Sequence, residues 1–283
     1  MNRTSVVGID CRDGRLYLAR VVHGGGRPEV DSLSTLSRDE ISEGCIRDGD
    51  RLILSVPDNM VLVKALHLDR TDPVALDRRV YFELGRSVLE PETEFLFDAL
   101  IPEDLPLQLG LIYRRERLRD LLAECGCSGQ DNVGYLVRAA ALGRGYLTFC
   151  RPASGELVAL VDIAPSLVSI CILYRRRLVC LAHLADSAGR QATDETINKL
   201  AIECRTIVNF KLAALADVGI TLPLSSVVLS GADAGERVRD VFSRRFSACV
   251  SGPEINRAFF TESTAGADVD PEQYLVALGL AVN

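Results

Sequence analysis

SVVGIDCRDGRLYLARVV at residues 5–22 and LVALVDIAPSLVSICIL at residues 157–173 have one shape. Each is an apolar strand that ends on an aspartate, turns over a few small or polar residues and re-enters a second apolar strand. Asp10 and Asp162 mark the two turns. A strand, an aspartate turn and a second strand, met once in each half of the chain, predicts a duplicated two-lobed fold with a cleft between the lobes.

The segments around these two stretches fit that plan. Asp13-Gly14 predicts a tight hairpin turn between strands at 5–10 and 15–22. Further strands are expected near 29–33, at 51–56, 60–68, 94–101 and 107–113. Helical spacing runs from Asp72 to about Leu89, where Asp72-Pro73 would cap the first turn. A helix is expected over 114–123 and another over 133–145, although Val133-Gly134-Tyr135 alone reads equally well as strand. In the second half, strands are expected at 157–163, 167–173, 177–184 and 226–230. Helices are expected over 194–215, 238–246 and 274–282. Ile197, Leu200, Ala201, Cys204, Ile207, Val208 and Leu212 give the 194–215 helix its apolar stripe. Strand-rich segments alternating with helices make an α/β chain.

Composition bounds the function. A chain of 283 residues has room for two modest domains. A net charge of −7 gives no electrostatic footprint for nucleic acid. Lysine occurs only at Lys64, Lys199 and Lys211. No apolar run has the length of a membrane span and the N-terminus does not read as a signal peptide, so a cytoplasmic chain is expected. Nine scattered cysteines read mainly as small buried hydrophobes. Cys125 and Cys127 form one C-x-C, but His23, His67 and His183 do not flank it, and no metal site is expected. No nucleophile stands beside a base and no pair of carboxylates has a catalytic spacing, so no catalytic residue is expected. The Arg175-Arg176-Arg177 run reads as a solvated strand turn, with a docking patch for an acidic partner or a membrane surface as the alternative.

The ordered set of segments resembles the PilM-like proteins of type IV pilus assembly and, more distantly, the cell-division protein FtsA. In the first half the likeness rests on VVGIDCRDGRLYLARV and LILSVPDNMVLVKALHL, then on VALDRRVYFELGRSVLEPETEFLFDAL and LGLIYRRERLRDLLAECG. In the second half it rests on LVDIAPSLVSICIL, VVLSGADAGERVRDVFSRRF and YLVALGLAV. It implies an actin-like (ribonuclease H-like) two-lobed α/β fold with a small α+β subdomain inserted in the first lobe. Residues 1–150 would form that first lobe, with the insert at about 57–125, and residues 151–283 a shortened second lobe.

In the actin, hexokinase and Hsp70 type of ATPase, the two aspartate turns hold the phosphates and the metal. The resemblance therefore points to Gly8, Asp10, Arg12, Asp162, Ala164, Gly231 and Ala232 as the nucleotide-site positions of this chain. Both turns depart from the family pattern. Where the family has a second glycine in the first turn, this chain has Arg12, whose side chain fills space that phosphate oxygens would need. Where the second turn ends in glycine, this chain has Ala164, followed by Pro165, which has no N–H. Gly231-Ala232-Asp233 is a milder change at the adenosine side. The segment between the strand at 177–184 and the helix at 194–215 is also short, so a nucleotide-covering subdomain is expected to be shortened or lost. Asp10 and Asp162 then either cap their own turns or keep a metal or nucleotide role. Arg12 could pair with one of them and replace the missing cation.

The resemblance implies a cytoplasmic pseudo-ATPase scaffold, peripheral to the inner membrane, that binds the cytoplasmic tail of a PilN-type partner. No cofactor is expected, with ATP and magnesium as the alternative. A working ATP-binding switch of the same fold, or a separate GspL-like component of a type II secretion system, are the other readings. A homo-oligomer is compatible with the sequence. The tail is expected in a first-lobe groove between the 5–56 segment and the 57–125 insert.

Overall fold

The computed structural model describes residues 4–282, except 38–39, 41–45, 48, 67–72, 102–104, 106, 129, 131, 154, 186–192 and 266–268. The first hairpin pairs β1 (Thr4–Arg12) with β2 (Arg15–His23) in antiparallel register, with Asp10 opposite Tyr17. Asp13 and Gly14 both take positive φ (50° and 76°), the geometry of a tight two-residue turn. The hairpin continues into β3 (Glu29–Ser37), longer than the sequence suggested, and β4 (Arg51–Val56) adds parallel to β1.

The insert follows. It contains β5 (Val61–Leu66), α1 (Pro73–Gly85), β6 (Phe95–Leu100), β7 (Gln108–Arg114) and α2 (Arg115–Glu124). Its three strands form a separate antiparallel sheet in the order β5-β7-β6. Leu76, Val80 and Leu84 of α1 pack on Leu66 and Ile112 of that sheet. The helix stops earlier than the expected Leu89, and the expected Asp72 cap lies outside the described residues.

The chain then returns to the first sheet as β8 (Val133–Val137), parallel to β4. This decides the alternative left open at Val133-Gly134-Tyr135 in favour of strand and moves the helix expected over 133–145 to a later start and end. The β-prone run Val-Gly-Tyr-Leu-Val fills the open edge of the sheet, and the helix, α3 (Arg138–Phe149), begins only after it. The short β9 (Cys150–Arg151) follows.

The second half repeats the first. β10 (Leu157–Ile163) and β11 (Leu167–Tyr174) form the second hairpin, with Asp162 opposite Ser169, the same seven-residue offset as Asp10 to Tyr17. β12 (Arg177–Ala185) joins through a turn in which Arg175 and Arg176 have positive φ (47° and 63°). Arg175 pairs with Glu156 at 3.0 Å, so this run is the exposed turn its sequence suggested. Only residues 186–193 separate β12 from α4 (Asp194–Ala216), whose first turn is capped by the Thr193 hydroxyl. Then come β13 (Ser226–Ser230), α5 (Glu236–Ser243), β14 (Cys249–Ser251), β15 (Glu254–Ile255), α6 (Glu262–Ala265) and α7 (Leu275–Leu280). The helix expected over 238–246 starts and ends earlier, and the one expected over 274–282 is trimmed at both ends.

The two large sheets have one topology. The first runs β3-β2-β1-β4-β8 and the second β12-β11-β10-β13-β14. In both, three antiparallel strands are followed by two parallel ones. The duplication expected from the two aspartate turns is therefore present, and the fold is actin-like, two-lobed, with the insert in the first lobe.

The lobes meet through α3 and α7. α3 contacts strands of both sheets, and α7 lies on β1, β2 and β4. Their crossing is close because Gly145 and Gly279 face each other. A side-chain carbon on Gly279 would overlap the Ala141 carbonyl and stand 2.6 Å from the Gly145 nitrogen. Leu142, Tyr146, Leu275 and Leu278 continue one apolar core from the first sheet to the second. This packing brings the C-terminal ends of β1 and β10 and the start of α3 to one place.

Candidate functional site

That place is a buried ionic cluster. Asp10 and Asp162 stand near the C-terminal ends of equivalent strands, and their relative exposures are 0% and 1%. Each is held by a serine from the neighbouring parallel strand. Ser55 Oγ donates to Asp10 Oδ1 at 2.6 Å, and Ser230 Oγ donates to Asp162 Oδ1 at 2.9 Å. The pairing follows from the duplication. LILS (52–55) and VVLS (227–230) lie in equivalent strands and carry serine at the position beside the aspartate.

The two carboxylates are joined by Arg138, the first residue of α3. Its Nη2 pairs with Asp162 Oδ2 and stands 3.4 Å from Asp10 Oδ2. The Arg138 side chain is only 3% exposed. Burial pulls its basicity down, but Asp10, Asp162 and Asp58 together hold the guanidinium above its ordinary value. A second guanidinium backs the first carboxylate. Arg12 Nε lies 3.3 Å from Asp10 Oδ2, its guanidinium stacks 3.8 Å from the Tyr17 ring, and Nη2 donates to the Gln273 carbonyl. Arg12 thus reaches Asp10, whereas the cation on Asp162 is Arg138.

Asp58 completes the cluster from the entrance to the insert. Its Oδ1 accepts from the Ala139 N–H at 2.9 Å, in the first turn of α3, and its Oδ2 accepts from Ser169 Oγ of the second lobe. Burial pushes the Asp58 carboxyl up to about 6, against the Ser169 and Ala139 hydrogen bonds and the charge of Arg138, which pull it down. The folded state therefore binds more protons than the unfolded state between about pH 4 and 6. The stabilising share of Asp58 is present below its unfolded value and is lost as pH rises through 6. Relative to Asp58→Asn, the wild-type chain is expected to lose about 3 kcal/mol of unfolding free energy between pH 4 and 7. Urea denaturation of both proteins across that range checks it. Parallel pH profiles would contradict it.

The remaining expected positions have other work. Gly8 lies under α7, where a Cβ would overlap the Ala277 carbonyl. The Ala164 N–H donates to the Leu167 carbonyl at 3.1 Å, inside its own turn. Gly231 has φ of 101° and packs its bare Cα on Ile163 of the second aspartate turn. Ala232 is exposed. The structure brings Asp10, Arg12 and Asp162 together and sets Gly231 beside them. Gly8 is given to helix packing.

A magnesium-bound phosphate chain needs carboxylates open to the metal and backbone N–H groups open to oxygen. Here both carboxylates are solvent-shielded and neutralised by guanidinium groups. One turn is a closed two-residue hairpin, and the other spends its Ala164 N–H internally and continues into Pro165. In this arrangement the residues do not fit that group. Among the described residues, no group of three or more His, Cys, Asp or Glu side chains could hold a metal ion.

Arg138, Ser55, Ser230, Asp58 and Ser169 were not singled out from sequence. Arg138 was hidden inside a stretch read as helix from Val133 onward. The serines carried a signal in the matching LILS and VVLS segments.

An actin-like, two-lobed protein whose interlobe acids are joined by its own arginine is the class that fold and site define. No family model and no curated protein matches the chain. Among solved structures, a chain of the PilM–PilN type IV pilus biogenesis complex is similar with a TM-score of 0.66 at 14% identity, over 98% of this chain and 97% of that one. A Bacteroides thetaiotaomicron protein with an actin-like ATPase fold and unknown function gives 0.49 at 7% identity, over 97% and 95%. The cytoplasmic domain of EpsL, an inner-membrane component of the type II secretion system of Vibrio cholerae, gives 0.48 at 10% identity, over 100% and 96%. At these identities the likeness is one of fold. Among the described residues, no helix is long and apolar enough to cross a membrane.

Proposed function

We propose that the chain is a cytoplasmic actin-like scaffold of type IV pilus or related secretion assembly, and that it binds the cytoplasmic tail of a PilN-type inner-membrane protein without hydrolysing ATP. Arg138 bound between Asp10 and Asp162 is the observation that carries this reading. A fold that keeps both lobes and the insert, while filling its interlobe acids with its own guanidinium groups, serves as a binding body rather than a phosphate-transfer enzyme. The full-length likeness to the pilus-complex chain supports the choice of machine. Residues 1–150 act as the first lobe, with the insert at about 57–125, and residues 151–283 as the second. The chain works at the inner membrane through its partner. Gly8, Asp10, Arg12, Asp162, Ala164, Gly231 and Ala232 are then remnants of a nucleotide site, with Asp10, Arg12 and Asp162 turned to ionic roles and Gly8 and Gly231 to packing.

Calorimetric titration of the full chain with synthetic tail peptides from PilN-type proteins of the same genome tests the reading. Saturable binding in the micromolar range is the expected result. Absence of tail binding, together with magnesium-dependent nucleotide binding, would replace the scaffold with a nucleotide switch of the same fold.

A further inference from the structure

A groove runs between the inserted sheet and the second lobe, away from the ionic cluster. Two cavities form it, of about 320 Å³ and about 330 Å³, and Val63, Leu181 and Lys211 line both. One wall is β5 and the other is β12 with α4. β5 and β12 are each the outermost strand of their sheet, so one side of each backbone ladder has no strand partner among the described residues. The groove is apolar along its length, and two large apolar side chains stand exposed on it. Leu62 of β5 is 54% exposed and Phe210 of α4 is 70% exposed.

The charges of the groove are few. Lys211 lies at the wall shared by both cavities, its ammonium 6.0 Å from the centre of the Phe210 ring, and no salt bridge among the described residues involves it. His183 stands near it on β12, held below its usual range by burial and by the Lys211 charge. Asp58 closes one end, with its carboxylate already bound to Ala139 and Ser169. Asp217 lines the second cavity together with Lys211. Lys211 is therefore an ammonium group on the groove wall that pairs with no carboxylate within 4.0 Å among the described residues, with Asp217 lining the same cavity.

We infer that this groove takes an extended segment of another protein, apolar along the strand and carrying one acidic side chain that meets Lys211, with its backbone paired to the free edge of β5. Edge addition supplies main-chain hydrogen bonds, Leu62 and Phe210 cover the apolar side chains, and Lys211 fixes the register. The site differs from the expected tail groove between the 5–56 segment and the insert, and the inference does not rest on the membrane-partner reading.

The test uses the full chain and a nine-residue peptide alternating valine and threonine with a central glutamate, together with its lysine counterpart, read by fluorescence anisotropy. The glutamate peptide is expected to bind more tightly than the lysine peptide. Lys211→Glu is expected to weaken the glutamate peptide about tenfold or more and to reverse the preference. Phe210→Ala, on an exposed surface, is expected to weaken both peptides, and methyl shifts on binding should fall on Val61, Val63, Leu181 and Ile207. Failure of both peptides to bind, or binding indifferent to Lys211, overturns the inference.

Discussion

Replacing Arg138 with alanine is expected to remove about 3–5 kcal/mol of folding free energy, the cost of leaving buried carboxylates without their cation. Asp10 and Asp162 are each almost fully buried, and the serines beside them supply one hydrogen bond apiece. Arg12 compensates only Asp10. With Arg138 gone, Asp162 keeps Ser230 and loses its only ion pair among the described residues. Arg138→Lys keeps a charge but on a shorter side chain whose ammonium does not reach the place where Nη2 meets both carboxylates, so it should recover only part of the loss. Adding Asp162→Asn to Arg138→Ala should restore stability, because it removes the charge that the first change exposed. Urea denaturation of the three variants decides it. A cost under about 1 kcal/mol for Arg138→Ala would mean that the lobes do not depend on this cluster.

The second large effect concerns Gly279→Ala. In an exposed helix interior this change usually stabilises by about 1 kcal/mol. Here the sign is expected to reverse, with a cost of about 3 kcal/mol, because the new carbon meets the backbone of α3 rather than a side chain able to turn away. The obstruction is the Ala141 carbonyl, with the Gly145 nitrogen close behind. Relief requires α3 and α7 to separate, and α3 carries Arg138. The variant should therefore also loosen the ionic cluster. Thermal and urea unfolding measure the first effect. A stabilised Gly279→Ala protein would contradict the packing described.

The fold was legible because duplication makes its own signal. Two aspartate turns with apolar strands on either side announced two equivalent sheets, and the i, i+3, i+4 stripe of α4 was unambiguous. The failure at β8 is instructive. Val133–Val137 has no polar alternation because it lies in a parallel sheet beside β4, and short apolar runs of that kind do not separate strand from helix. That misreading also concealed Arg138, whose meaning depends on being the first residue of α3 at the end of β8. Asp10, Asp162 and Arg12 were visible as candidates because they stand at the strand ends that lead into the turns. Their joining cation comes from far along the chain, and no local pattern announces a contact set by the crossing of α3 and α7. The groove at Lys211 was equally silent, since it exists only between elements of different sheets.

Arg138 stands between the two aspartates that, on the proposed reading, are remnants of a nucleotide site. Calorimetric titration of the purified full chain with ATP and magnesium tests that most directly. Without open turn donors and free carboxylates, two or three charge-assisted hydrogen bonds are lost, each worth about 1.5–3 kcal/mol, which lowers affinity by a factor on the order of a hundred or more. The predicted result is no saturable heat at micromolar nucleotide and no turnover. Micromolar binding of ATP that requires magnesium would contradict it.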